Sequence, residues 1–153
     1  MEIKAGREVA ASAERVWEVV TDIEGSPLVL SAVEAVERLD GGDGFGVGTR
    51  WRETRTMFGR QATEEMEVTA VDAPRSYTVV AVNGPTTYTS TVSVEPVGAD
   101  RCVLRMSFAG SSSGLLARVL AATVGRLFAG ATRRALEQDL EDLAAAAEPG
   151  AAS

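Results

Sequence analysis

TTYTSTVSVEPVGADRCVLRMSFA, residues 86–109, carries two strands and the link between them. From Thr86 to Val94 the period is two. Tyr88, Ser90, Val92 and Val94 fall on one side, and Thr87, Thr89, Thr91, Ser93 and Glu95 on the other, a solvated face of good strand formers. Cys102, Leu104, Met106 and Phe108 repeat the pattern from Cys102 to Ala109, with Glu95 to Asp100 expected as the hairpin loop. Just beyond, the period changes. From Leu115 to about Ala147, Leu116, Val119, Leu120, Val124, Leu127, Phe128, Ala131, Leu136, Leu140 and Leu143 make a long apolar helical stripe.

Upstream the same alternation predicts strands over 33–39, 49–57, 61–71 and 77–82, separated by turns at Ala73-Pro74-Arg75 and Asn83-Gly84-Pro85. Ile3 to Val9 is a further strand. Ser12 is a helix N-cap with Glu14 in the first turn, and Ala13, Val16, Trp17 and Val20 form one apolar face. A short helical piece is expected around Pro27. One strand, short helices, six strands and one long helix make an α+β fold with a curved antiparallel sheet of about seven strands around the C-terminal helix. The expected limits are one domain over 1–147 and a disordered tail over 148–153.

Composition narrows the function. The 153 residues are 45% hydrophobic but only 5% aromatic, enough for one core without disulfides. There is no histidine, which removes Ser-His-Asp and Cys-His catalysis and histidine metal sites. No cofactor and no metal site is expected. The one cysteine, Cys102, forms no internal disulfide and reads as a buried core thiol; with a charged, signal-free start it suggests the cytoplasm. A net charge of −7 argues against nucleic acid and anionic membranes. Arg118, Arg126, Arg133 and Arg134 interrupt the long helix, so it is no membrane span. The glycine-rich loop Gly41 to Gly48 lacks phosphate-loop spacing and a lysine, leads into a strand, and reads as a flexible connection.

So few aromatics cannot fill the space between sheet and helix, and a cavity for a small apolar ligand is expected there. Trp51, Met66, Tyr77, Val79, Tyr88 and Ser90 are its expected lining, with Leu104, Met106, Leu120, Val124 and Phe128. Thr78, Val80 and Val82 offer an alternative inward face to Tyr77 and Val79. If Phe58-Gly59 is a two-residue turn, Met57 pairs with Arg60, Glu53 faces Glu64 and Trp51 faces Met66. Alternation then puts Glu53, Arg55 and Glu64 on the inner face, with Arg55 bridging both glutamates. These charges either orient a ligand and supply acid–base chemistry, with Tyr88 as hydrogen-bond donor, or reach water at the cavity mouth. Gly125 and Gly130 in the helix serve either close packing or a bend that makes room for a ligand. RRALEQDLEDL reads as a charged amphipathic helix packing on the first strands, and its apolar repeat is too short for a coiled coil. The chain is expected as a monomer or homodimer.

The segments AASAERVWEVVTDIE (10–24), VGTRWRE (47–53), MEVTAVDAPRSYTV (66–79), SVEPVGADRCVLRMSF (93–108) and ALEQDLEDL (135–143), in this order, resemble the START-like superfamily, also called SRPBCC or helix-grip. The nearest branch is the bacterial polyketide cyclase/dehydrase and lipid-transport type. The resemblance implies the helix-grip fold and a small hydrophobic ligand: a lipid, an isoprenoid or an aromatic polyketide. It also implies two alternatives, an aromatase/cyclase-like enzyme for aldol cyclisation or dehydration and a protein-interaction module. One departure is Ser26-Pro27-Leu28-Val29-Leu30, aliphatic where such relatives often carry an aromatic.

Overall fold

The computed structural model describes the backbone of residues 2–57, 59–112 and 115–149, and the side chains of these except at 57, 112 and 115–128. Its elements run β1 (Glu2–Val9), α1 (Ala13–Thr21), α2 (Ser26–Val29), β2 (Val33–Arg38), β3 (Arg50–Met57), β4 (Arg60–Asp72), β5 (Ser76–Asn83), β6 (Thr86–Gly98), β7 (Arg101–Ser112) and α3 (Leu115–Ala147). The strands form one sheet in the order β1-β7-β6-β5-β4-β3-β2, every neighbouring pair antiparallel. Five successive hairpins build it from β2 to β7. The excursion through α1 and α2 carries the chain between opposite edges, so β1 closes against β7. This is the helix-grip architecture expected from the element order.

Ser12 caps α1 by accepting a hydrogen bond from the Arg15 N–H at 3.1 Å. Val16 and Val20 of α1 then join Leu140 and Leu143 of α3 and Val9, Val92, Cys102 and Leu104 of the sheet in a single core. The C-terminal half of α3 lies on β1 as expected: Arg133 donates to the Lys4 carbonyl at 2.8 Å, and Glu148 accepts from the Ala10 N–H at 3.0 Å. Glu148, expected in a disordered tail, is therefore tied to the end of β1; residues 150–153 lie outside the described residues. The β6–β7 hairpin is also tighter than expected. Pairing continues through Glu95↔Val103 to Gly98↔Arg101 with a bulge at Pro96/Gly98, which accommodates a proline that cannot donate to the ladder.

The glycine-rich loop is held rather than free. Arg38 donates to Asp40 at 2.9 Å and to the Gly44 carbonyl, and Asp40 accepts from the Arg50 N–H at 3.2 Å. The loop delivers Phe45 into an edge-to-face cluster with Trp17 and Tyr77, ring centroids 6.3 and 4.9 Å away. Gly48 at φ +94° sets the exit to β3 in a conformation that side chains disfavour.

The Arg38 hydrogen bond holds the Asp40 carboxyl at about 2, below its ordinary 3.8. A lowered folded pKa contributes stability that is present above the unfolded value and lost as pH falls through the folded one. Protection of the Gly48 and Arg50 amides should therefore fall as pH drops from about 4 toward 2, and Arg38→Leu should remove it already at neutral pH. Hydrogen-exchange protection factors measure this; unchanged protection in Arg38→Leu would contradict the clamp.

Candidate functional site

The β3–β4 hairpin sets the geometry of the site. Met57 pairs with Arg60, Arg55 with Ala62, Glu53 with Glu64 and Trp51 with Met66, the register that the spacing predicts, and Gly59 adopts φ +76°. Alternation along β3 consequently aims Trp51, Glu53 and Arg55 at the inner face, where they are buried or largely so.

Arg55 reaches from β3 to α3. Its Nη1 donates to Asp139 Oδ2 at 2.9 Å, and its Nε to Glu53 Oε2 at 3.3 Å. Trp51 Nε1 donates to the other Glu53 oxygen at 3.3 Å. The Asp139 side chain is 5% exposed and that of Glu53 11%. The expected bridge from Arg55 to both glutamates is corrected here: the second carboxylate is Asp139. Among the described residues, Glu64 has no ion pair within 4.0 Å. Alternation showed the inner face of the strands but not which helix residue lies opposite. The signal was nonetheless present, because Thr132, Leu136, Asp139 and Leu143 follow at spacings of four, three and four, which puts them on one helix face.

Burial pushes the Asp139 carboxyl up; Arg55 pulls against it, while Glu53 and Asp142 add to the rise. Burial also raises Glu64, reinforced by Glu53 opposite and opposed by Arg55. Burial would lower the Arg55 pKa, but Asp139 and Glu53 outweigh it, so the guanidinium stays charged. Tyr88 is raised by burial and by the Glu64 charge, against a hydrogen bond from Thr86.

This cluster forms the polar end of a cavity of about 620 Å³ between the sheet and α3. Met66, Tyr88, Ser90, Met106, Phe108 and Leu136 supply walls, Ala62 and Ala135 leave room, and Arg60 and Gln61 stand at the β4 end. Tyr88 and Phe108 stack there with ring centroids 5.4 Å apart. A smaller lobe of about 120 Å³ continues toward α1 and α2 past Trp51, Tyr77, Val79 and Val92, sharing Glu53, Arg55, Met66, Ser90, Met106 and Asp139 with the larger one. Tyr77 and Val79 thus face inward, and the Tyr77 hydroxyl donates to the Val20 carbonyl at 2.9 Å. The rim here is aliphatic, with Val29 and Leu30.

Eight of the expected lining residues are described and seven of them line one lobe or both: Trp51, Met66, Tyr77, Val79, Tyr88, Ser90 and Met106. Leu104 is the correction. It is 0% exposed in the closed core and lines neither lobe. Its parity along β7 is right, but it lies beside Cys102 at the end that the core fills. The side chains of Leu120, Val124 and Phe128 lie outside the described residues, and so do the surroundings of Gly125. At Gly130, among the described residues, an added Cβ would meet nothing nearer than Arg134 Nη1 at 4.0 Å. Phe108, expected to point inward, also lines the cavity, and Thr132 and Asp139 join it without any expectation from the sequence. Burial raises the Cys102 thiol pKa, consistent with an inert core residue. Among the described residues no group of three or more candidate ligands could hold a metal ion, and no helix is long and apolar enough to cross a membrane.

A cavity gripped between a seven-stranded antiparallel sheet and a long C-terminal helix defines a START-type protein. Residues 1–148 match the family described as polyketide cyclase/dehydrase and lipid transport, and the chain belongs to that family. Similar solved structures include the Zhui aromatase/cyclase from Streptomyces sp. R1128, 19% identical over 96% of this chain and 93% of that one, with a TM-score of 0.75. Norcoclaurine synthase from Thalictrum flavum, in complex with dopamine and hydroxybenzaldehyde, is 26% identical over 88% of this chain and 84% of that one, with a TM-score of 0.63. A START superfamily protein from Mycobacterium smegmatis is 20% identical over 90% and 97%, with a TM-score of 0.64. No curated protein sequence matches the chain.

Removing the cation tests the cluster. Arg55→Met leaves two buried carboxylates uncompensated and should cost about 3 kcal/mol at pH 7. Asp139, already pushed up by burial, then loses the opposing pull of Arg55, so its folded pKa stands above the unfolded one, and the loss grows as pH rises through that window and shrinks below about pH 4. Urea titrations at pH 4.5 and pH 8 check the sign; a pH-independent loss would contradict it.

Proposed function

We propose that the protein binds a small, largely apolar molecule between the sheet and α3, with a lipid, an isoprenoid or an aromatic polyketide as the candidate classes. The cavity carries this reading: about 620 Å³, walled by thioether, aromatic and aliphatic groups, with polar groups gathered at one end. Small-molecule sites have this size and this mixture of apolar walls with a few convergent polar groups. The ring-bearing ligands of norcoclaurine synthase favour an aromatic occupant among the three. The same reading makes the chain a cytoplasmic monomer or homodimer with no nucleic-acid partner, in line with its acidic charge.

Glu64 favours a second reading, an aromatase/cyclase-like enzyme for aldol cyclisation or dehydration. It lines the cavity, has no ion pair among the described residues, and is raised toward the range of a working acid or base by burial. Tyr88 lines the same cavity and is near enough to feel the Glu64 charge. Arg55 and Glu53 are engaged with each other, and their role in this reading is to hold the polar end in place.

Nile red, a neutral apolar dye, should bind the wild type with a rise in fluorescence. Ser90→Trp, which fills a position shared by both lobes, should abolish the rise, while Val82→Trp at an exposed position should not. Equal binding by Ser90→Trp would contradict a cavity site. For the enzymatic reading, Glu64→Gln should keep dye binding and lose turnover of a cyclisable polyketide-type substrate by about a hundredfold or more.

A further inference from the structure

Two buried polar atoms on residues that line the cavity are left over once the cluster is assembled. Asp139 Oδ1 and Thr132 Oγ1 have no hydrogen-bond partner among the described residues, and their residues are 4% and 2% exposed. Both line the large lobe. Unsatisfied polar atoms at this depth are uncommon and costly, and the adjoining cavity offers the place for a partner once the two side chains turn toward it. Seven residues of helix separate them, which at 1.5 Å per residue is about 10 Å along the cavity wall.

The charge around them is one-sided. The Arg55 Nε and Nη1 are taken by Glu53 and Asp139. One guanidinium thus faces two carboxylates, and Glu64 adds a third on the facing wall. Arg60, exposed at the β4 end, is the other cation among the described lining residues. A carboxylate ligand brought to Asp139 would meet like charge at a desolvated site. A hydroxyl or protonated amine would instead donate to Oδ1, a charge-assisted bond.

Resting on the ligand-binding reading above, we infer that Asp139 and Thr132 are the specificity-determining residues of the cavity: they select ligands that donate a hydrogen bond at the Asp139 end, and they exclude carboxylates such as free fatty acids. Thr132, which both donates and accepts, takes a second polar group about 10 Å away on an elongated ligand.

The test uses rigid two-ring probes of one shape: 4-phenylphenol, biphenyl-4-carboxylate and biphenyl-4,4′-diol, each titrated calorimetrically at pH 7.5. The phenol should bind about tenfold or more tighter than the carboxylate, and the diol tighter than the phenol. Thr132→Val removes an unsatisfied hydroxyl, so it should keep the wild-type melting temperature or raise it. It should erase the advantage of the diol over the phenol. Asp139→Asn should bring the phenol and carboxylate affinities together. A carboxylate that binds wild type as tightly as the phenol would overturn the inference while leaving the cavity reading intact. So would a diol advantage that survives Thr132→Val. Failure of all three probes to bind would overturn both.

Discussion

Arg55 is the point at which sheet and helix are fastened across a space that side chains do not fill. A guanidinium in mid-strand, inward by parity, must find carboxylates or remain an uncompensated charge in a poorly hydrated place. Glu53, two residues back on the same face, supplies one, and Asp139 on α3 supplies the other at 2.9 Å. The pair fixes which face of α3 meets β3. Leu140 and Leu143 are then turned into the core, while Thr132 and Leu136 are turned to the cavity.

The core and the cavity divide the same inner face between them. Toward the β1–β7 end, Val9, Cys102 and Leu104 close with α1 and the last turns of α3 in an apolar core. Toward the β3–β4 hairpin Ala62, Met66, Ser90, Met106 and the charges share the inner face with the stacked Tyr88 and Phe108, and the space stays open. Tyr77 marks the boundary: its hydroxyl is anchored on α1, its ring is packed against Phe45, and its buried edge faces the smaller lobe. The loop clamp at Arg38 and Asp40 serves this boundary, since it holds the segment that carries Phe45.

Much of this arrangement was legible in the residues. The two-residue spacing between Met57 and Arg60 set the hairpin register, and the register set Glu53 against Glu64. Alternation assigned inward faces correctly along β6 and β7. What alternation does not carry is depth along a strand, which is why Leu104 was expected in the cavity and lies in the core. Nor does it carry contacts between elements distant in sequence. Asp139 sits in a run rich in charges, RRALEQDLEDL, whose amphipathic pattern does not single it out. Only its place on the face of Thr132, Leu136 and Leu143 distinguishes it from Glu137 and Glu141, and the structure puts that face against Arg55.

Whether Arg55 and Asp139 act as one buried unit decides how sheet and helix are joined. A double-mutant cycle with Arg55→Met, Asp139→Leu and the combined variant, followed by urea denaturation at pH 7, measures this directly. Each single variant should lose stability, the double variant should lose far less than their sum, and the coupling energy should be about 2 kcal/mol. Losses that add, with coupling near zero, would mean that sheet and helix are held together without this pair.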